Sequence, residues 1–259
     1  MKKILFLLIT GTILYACNPA ATKETPAKNT DLIQQNLKGK VEKYTEESYT
    51  VDSAGSQKKD SAIYFSELDQ KGYLVKIETK DSSGKLKEET TLVRFENGTP
   101  KEITTKTDGK QTKKFVIELD SNKKFSVAKV YDSSDKLSSY YKDISQDEFE
   151  NVLAATEYSP ENKLKSSFTQ TYSNGIFTGT IGKDSSGKET YRSTYKLDDK
   201  GNPVEESEII VGKDSSKTVL TTFKYDSYDD QGNWTQRTQY NDKNKPSKVT
   251  KRSFTYYKD

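Results

Sequence analysis

Histidine is absent from this 259-residue chain and Cys17 is its one cysteine. Without an imidazole there is no Ser-His-Asp or Cys-His catalysis and no His-ligated zinc. The glycines sit in turn-like segments, and none forms a phosphate-cradling loop. Paired carboxylates across a cleft would suit glycoside hydrolysis. The acids here instead cluster in turns, as Asp198-Asp199 and Asp229-Asp230, or alternate with lysine, as Lys87-Glu88-Glu89. Those positions read as turn caps and solubilising charges. The Asp/Asn-rich stretches 226–233 and 241–244 lack the Asp-x-Asp-x-Asp-Gly order of a calcium loop, so neither metal nor cofactor is expected. What remains is Trp234, the one tryptophan, with Tyr228, Arg237 and Tyr240 close by in sequence. The four form either an aromatic platform for a sugar or partner side chain, or a core aromatic group closing the last hairpin.

The elements that must position these residues are announced by turns. Asp81-Ser82-Ser83-Gly84-Lys85 returns unchanged as Asp184-Ser185-Ser186-Gly187-Lys188. A second series reads Asp69-Gln70-Lys71-Gly72, Asp199-Lys200-Gly201-Asn202 and Asp230-Gln231-Gly232-Asn233. Asp and Ser cap the turn backbone, while Gly or Asn accepts a positive φ, which is the chemistry of β-hairpins. Between the turns lie runs such as Phe115-Val116-Ile117-Glu118-Leu119 and Thr218-Val219-Leu220-Thr221-Thr222-Phe223, rich in strand-forming residues. Two strands and two turns make a unit of roughly 24 to 30 residues, repeated about six or seven times.

One segment breaks the rhythm. Ser145-Gln146-Asp147-Glu148 fits a capping box, and Phe149, Val152, Leu153 and Thr156 follow at helical spacing before Ser159-Pro160. The pattern predicts a short helix near 146–156. A weaker helical stretch, Leu32 to Leu37, follows Asp31 as its cap. The expected fold is all-β: an antiparallel β-meander of repeated hairpins, forming a curled open sheet or incomplete barrel, with one short inserted helix. A composition of 31% hydrophobic and 31% charged residues borders on disorder, and it is the 17 tyrosines and 10 phenylalanines that supply a core.

Lys2 and Lys3 precede an apolar run from Ile4, which ends in Leu14-Tyr15-Ala16-Cys17. That tetrad resembles the lipobox of bacterial lipoproteins, in which the cysteine is acylated and becomes the mature N-terminus. The resemblance implies a signal peptide at 1–16, and a lipidated Cys17 with a flexible tether at 17–37. The hairpin domain then covers 38–259. Loss of the leader lysines lowers the formal charge from +3 to +1, so a basic pI is no argument for nucleic acid. Asn18 beside the cysteine is not the aspartate of an inner-membrane retention signal, which leans the anchor towards the outer membrane.

Phe223-Lys224-Tyr225-Asp226, then Asp229 to Trp234, ending at Tyr240, resembles one unit of the tyrosine–aspartate (YD, or RHS-type) repeats, with a weaker copy at 195–202. The chain is similar to exported lipoproteins built from degenerate repeats of this kind. The resemblance implies hairpins, binding of glycan or protein, and no catalytic residue.

Together these readings describe a non-enzymatic, membrane-anchored envelope protein. Its partners are the membrane, through the lipid, and a glycan or envelope protein on its sheet face. The alternative is a lipid-handling carrier, with an apolar groove under the curled sheet and the 146–156 helix as lid. A carboxylate-based glycan hydrolase ranks below both.

Overall fold

The computed structural model describes residues 30–173, 176–211 and 215–258; Cys17 and the leader lie outside them. A short helix, α1 (Asp31–Gln34), precedes sixteen strands. They are β1 (Val41–Val51), β2 (Gln57–Leu68), β3 (Leu74–Asp81), β4 (Leu86–Arg94), β5 (Pro100–Thr107), β6 (Lys110–Leu119), β7 (Phe125–Tyr131) and β8 (Leu137–Gln146). There follow β9 (Val152–Tyr158), β10 (Leu164–Ser173), β11 (Ile176–Asp184), β12 (Glu189–Leu197), β13 (Pro203–Val211), β14 (Ser216–Tyr228), β15 (Trp234–Tyr240) and β16 (Pro246–Tyr256). Each strand pairs antiparallel with its sequence neighbours, and β1 pairs with β16 from Val41↔Tyr256 to Thr50↔Lys248.

The sheet is therefore a complete barrel, which overturns the expected curled open sheet or incomplete barrel. Closure has a physical reason. An open meander leaves two unpaired edges, and an even strand number lets the first and last strands meet antiparallel and remove them.

The turns follow the expected chemistry. In 69–73, Asp69 Oδ1 accepts the N–H groups of Lys71 and Tyr73, both at 2.9 Å, while Gly72 holds φ 83°. The same two bonds to the leading aspartate recur at 81–85, 120–124, 132–136, 184–188, 198–202 and 229–233.

They recur also at 147–151, where Asp147 accepts from Phe149 at 2.9 Å and Asn151 at 2.8 Å. This is the place of the expected inserted helix near 146–156, and no helix is there. The residues 152–158 are β9. Asp147 caps a hairpin turn, not a helix. The turn was disguised because Glu150, at φ 64°, occupies the left-handed position that Gly72, Gly84, Gly187, Gly201 and Gly232 fill in other turns.

Register sorts side chains onto two faces, because directly paired residues point the same way. Tyr44 shares its face with Ser66, Ser66 with Ile77, and Ile77 with Thr90. The same face continues through Ile103, Phe115 and Val130. Tyr44, Ser66, Thr90, Ile103 and Val130 are all buried, so this face is the lumen. The opposite face reads Lys43↔Glu67↔Lys76 across β1, β2 and β3. Ion pairs lie along it, with Lys59–Glu47 and Lys76–Glu78 at 2.8 Å and Lys196–Glu205 at 2.7 Å.

One end of the barrel is sealed by residues 30–40. Thr30, not the expected Asp31, caps α1. Leu32 N–H donates to Gly72 O at 2.8 Å, and Leu37 is buried in one cluster with Val41, Leu68 and Leu74. Further along, Asn36 Nδ2 donates to Asn202 Oδ1 at 2.8 Å and to Lys200 O at 3.1 Å. Lys38 and Asn233 exchange two bonds, 2.7 and 2.9 Å. The segment thus crosses from the β2–β3 turn to the β12–β13 and β14–β15 turns. No described segment crosses the opposite end, where Ile210, on the luminal face and one residue from the end of β13, is 47% exposed.

Candidate functional site

A sixteen-stranded barrel is wide enough to leave space that side chains do not fill. Phe115, Tyr141, Phe168, Tyr191 and Phe223 all lie on the luminal face yet are only half-buried. Residues 30–40 cross one end of the lumen and no described segment crosses the other; its lining mixes aromatic, aliphatic and hydroxyl side chains with charged ones such as Glu157, Glu206 and Arg237.

Near the barrel seam the lining becomes chemically specific. Arg252 Nε and Nη2 donate to Glu46 Oε2 at 2.8 and 2.6 Å. The same guanidinium lies 3.7 Å from the ring centre of Trp234 and 5.3 Å from that of Tyr44. Arg237 approaches Trp234 from its own side at 4.9 Å and Phe223 at 4.6 Å. Trp234 is thus in contact with two guanidinium groups, an arrangement that the negative face of an indole favours. Tyr225 closes the group, 5.8 Å from Trp234.

Charge in this site is tuned by enclosure. Burial disfavours the Glu46 carboxylate, but Arg252, with help from Arg237 and Lys248, outweighs that and holds its pKa below the ordinary value. Burial pushes the Tyr225 hydroxyl up, against the opposing charge of Arg237, so it stays a neutral phenol. Burial, together with a hydrogen bond to Asp229, raises Tyr256 to about 12.

Of the four residues singled out in sequence, Trp234 is 8% exposed inside the barrel and Arg237 lines the lumen beside it. Tyr228 pairs in register with Trp234 but is 38% exposed, with Lys200 over its ring at 4.7 Å. Tyr240 pairs with Thr222, on the opposite wall face from Phe223, and stands apart from the group. Glu46, Arg252, Tyr44, Phe223 and Tyr225 were not anticipated. Arg252 and Glu46 are 206 positions apart, and only closure brings them together.

The acids of the turns cap backbone, as Asp198 does for Lys200 and Asn202 at 3.0 and 2.7 Å. Luminal Glu206 accepts from Tyr195 at 2.6 Å, and Glu157 is held by Lys165 and Ser166 at 2.9 and 2.8 Å. Among the described residues no three His, Cys, Asp or Glu side chains converge as a metal site.

The fold is that of an up-and-down antiparallel β-barrel with a charged exterior and an aromatic interior. It resembles a porin-like protein from Bacteroides uniformis ATCC 8492, with 13% identity over 83% of this chain and 96% of that one, at a TM-score of 0.54. A porin-like protein from Bacteroides vulgatus ATCC 8482 aligns over 82% of this chain and 97% of its own, at 10% identity and a TM-score of 0.35. Only the first is near enough in shape to bear on the fold, and at that identity it speaks of the fold alone. No family model and no curated protein matches the chain, so the YD-repeat resemblance and the lipoprotein motif gain no support from that side.

A membrane-spanning barrel carries an apolar outer band about 25 Å tall; a Lys or Arg at its midplane costs about 2–4 kcal/mol, and an Asp or Glu less. Here Glu47, Glu67, Glu78, Glu118 and Lys129 stand on the outer face within the strands. Such a ladder of charges suits a wall in water better than an apolar lipid-facing band.

Proposed function

We propose that this chain is a non-enzymatic protein of the bacterial cell envelope, tethered to the membrane through Cys17, that binds a ligand inside its barrel. The observation that carries the reading is the distribution of side chains over the two faces of the closed wall. Lys and Glu ladders outside keep the barrel in water, and aromatic residues inside line much of a lumen that no described segment crosses at one end. Anchoring is left to the lipid, consistent with the Leu14-Tyr15-Ala16-Cys17 motif. A lipid-handling carrier fits this geometry better than the groove-and-lid arrangement expected from sequence, since the lumen supplies the apolar surface and residues 30–40 its floor.

A second reading, recognition of glycan or protein on the outer wall, rests on one observation of its own. Tyr140 and Tyr158 stack at 5.7 Å, with Lys142 over Tyr158 at 4.1 Å, which is a platform for a sugar ring or a partner side chain.

The test is fractionation of cells expressing the full chain and its Cys17→Ser variant. The native protein is expected in the membrane fraction and the variant in the soluble fraction. A variant that stays in the membrane through carbonate extraction would refute the water-facing wall and the anchor together.

A further inference from the structure

The chain has four arginines, and three have a carboxylate within salt-bridge distance. Arg94 has Asp31, Arg192 has Glu189 and Arg252 has Glu46. Arg237 has none within 4.0 Å among the described residues. It stands inside the barrel, where Glu46 acts on it only from beyond salt-bridge distance, and a guanidinium with no contacting counter-ion is costly. Its neighbours are the rings of Phe223 and Trp234 and the hydroxyl-bearing Tyr225, with which it pairs in register.

Glu46, a nearby luminal carboxylate, gives one oxygen to both N–H groups of Arg252. Glu206, two strands away, accepts from Tyr195. The Tyr225 hydroxyl takes one hydrogen bond from Arg237; the rest of its planar fork is held against aromatic walls with no acid within salt-bridge distance among the described residues, a fork that suits a bidentate carboxylate. Towards the open end the same face continues through Val219, its register partner Glu208, and Ile210, which is 47% exposed.

We propose that Arg237 is the head-group site of the luminal ligand, and that the ligand is an anionic amphiphile: a carboxylate bound at Arg237 beside Trp234, with an apolar tail running to the open mouth. This rests on the reading that the lumen binds a ligand, and it adds the ligand's charge and orientation. Another luminal cation, Lys113, sits over Phe115 at 4.5 Å on β6, far round the wall, and serves as an internal comparison.

Trp234, being the one tryptophan, reports on this site directly through its emission. The experiment titrates the purified, folded barrel with decanoate and, separately, with uncharged decanol, following Trp234 emission and heat of binding. Decanoate is expected to bind about tenfold or more tighter than decanol, as a charge-assisted hydrogen bond would produce. In Arg237→Gln that preference collapses towards one while decanol affinity holds. In Arg237→Lys, which keeps the charge and loses the fork, part of it returns.

Equal binding of decanoate and decanol by the native barrel would overturn the head-group assignment and leave the luminal reading standing. A preference that survives Arg237→Gln, or one lost equally in Lys113→Gln, would also overturn it. Binding of neither probe would overturn both. Circular dichroism on each variant separates loss of the fold from loss of the site.

Discussion

Arg252 and Glu46 join the two ends of the chain: across the β1–β16 seam, two guanidinium N–H groups converge on one carboxylate oxygen at 2.8 and 2.6 Å. The pair is flanked in register by Tyr44 and Phe254, whose rings lie 5.9 Å apart. Side-chain exposure is 13% for Arg252 and 24% for Glu46, so water screens the pair only in part. Arg252→Met keeps most of the contact with Trp234 but strands the carboxylate. It is expected to cost about 2 kcal/mol, below the figure for a fully buried pair because of the residual exposure. Urea unfolding followed by Trp234 emission measures it. A change under about 0.5 kcal/mol, the range of ordinary surface substitutions, would mean the seam is held by backbone alone.

The same pair sets a pH dependence. Burial opposes the Glu46 charge, yet Arg252, Arg237 and Lys248 win, and the folded pKa lies below the ordinary 4.5. A carboxylate with a depressed folded pKa contributes stability that is complete above its unfolded pKa. That stability is lost as pH falls through the folded value. The urea midpoint of the native chain should therefore fall between about pH 5 and pH 3, and Glu46→Gln should show a shallower fall across that window. Parallel curves for the two proteins would remove Glu46 from the acid response.

At the sealed end the balance of charge differs. Asp31 accepts the Leu74 N–H at 2.7 Å and a bond from Arg94 Nη2, while Arg94 Nη1 donates to Gly98 O at 2.9 Å. Burial dominates here and raises the Asp31 pKa in spite of Arg94. Asp31→Asn keeps an acceptor for Leu74 and removes a charge that burial disfavours, so it should cost only about 1 kcal/mol. Arg94→Leu leaves the carboxylate enclosed and unpaired and should cost about 3 kcal/mol. Amide exchange at Leu32 and Leu74 should quicken more in Arg94→Leu than in Asp31→Asn; the reverse order would show that the acid, not the arginine, pins the floor.

Much of this molecule was legible because its turns are local. An aspartate that receives two N–H groups within four residues needs no distant partner, and every Asp-x-x-Gly segment could be read as a hairpin. The same locality misled at 147–151, where Glu150 in place of glycine turned a hairpin into an apparent capping box. Closure was not legible, since its register pairs residues such as Tyr44 and Phe254 whose matching depends on all sixteen strands between them. The site was half legible. Trp234 and Arg237 stood out by rarity and proximity, and Tyr240 was included on proximity alone. A strand sends alternate residues to opposite faces, and the bulges of β14 and β15 reset that alternation in ways no pattern of residue types reveals.

The sealed and open ends also differ in how they use glycine. Gly98 and Gly84 share the same backbone angle, φ 84°, which an L side chain adopts only at a cost of about 1–2 kcal/mol. A Cβ at Gly84, on the open end, meets nothing within 4 Å. One at Gly98 falls into the ring of Tyr73, which is itself held 4.9 Å from the Arg94 guanidinium. Gly84→Ala should therefore lose only the conformational cost, about 1 kcal/mol, and leave the floor untouched. Gly98→Ala must in addition displace Tyr73 and with it the Arg94–Asp31 contact, for a total of about 3 kcal/mol. Urea unfolding of the two variants compares them directly. Equal losses would show that Tyr73 moves aside freely, and that the sealed end is no more tightly packed than the open one.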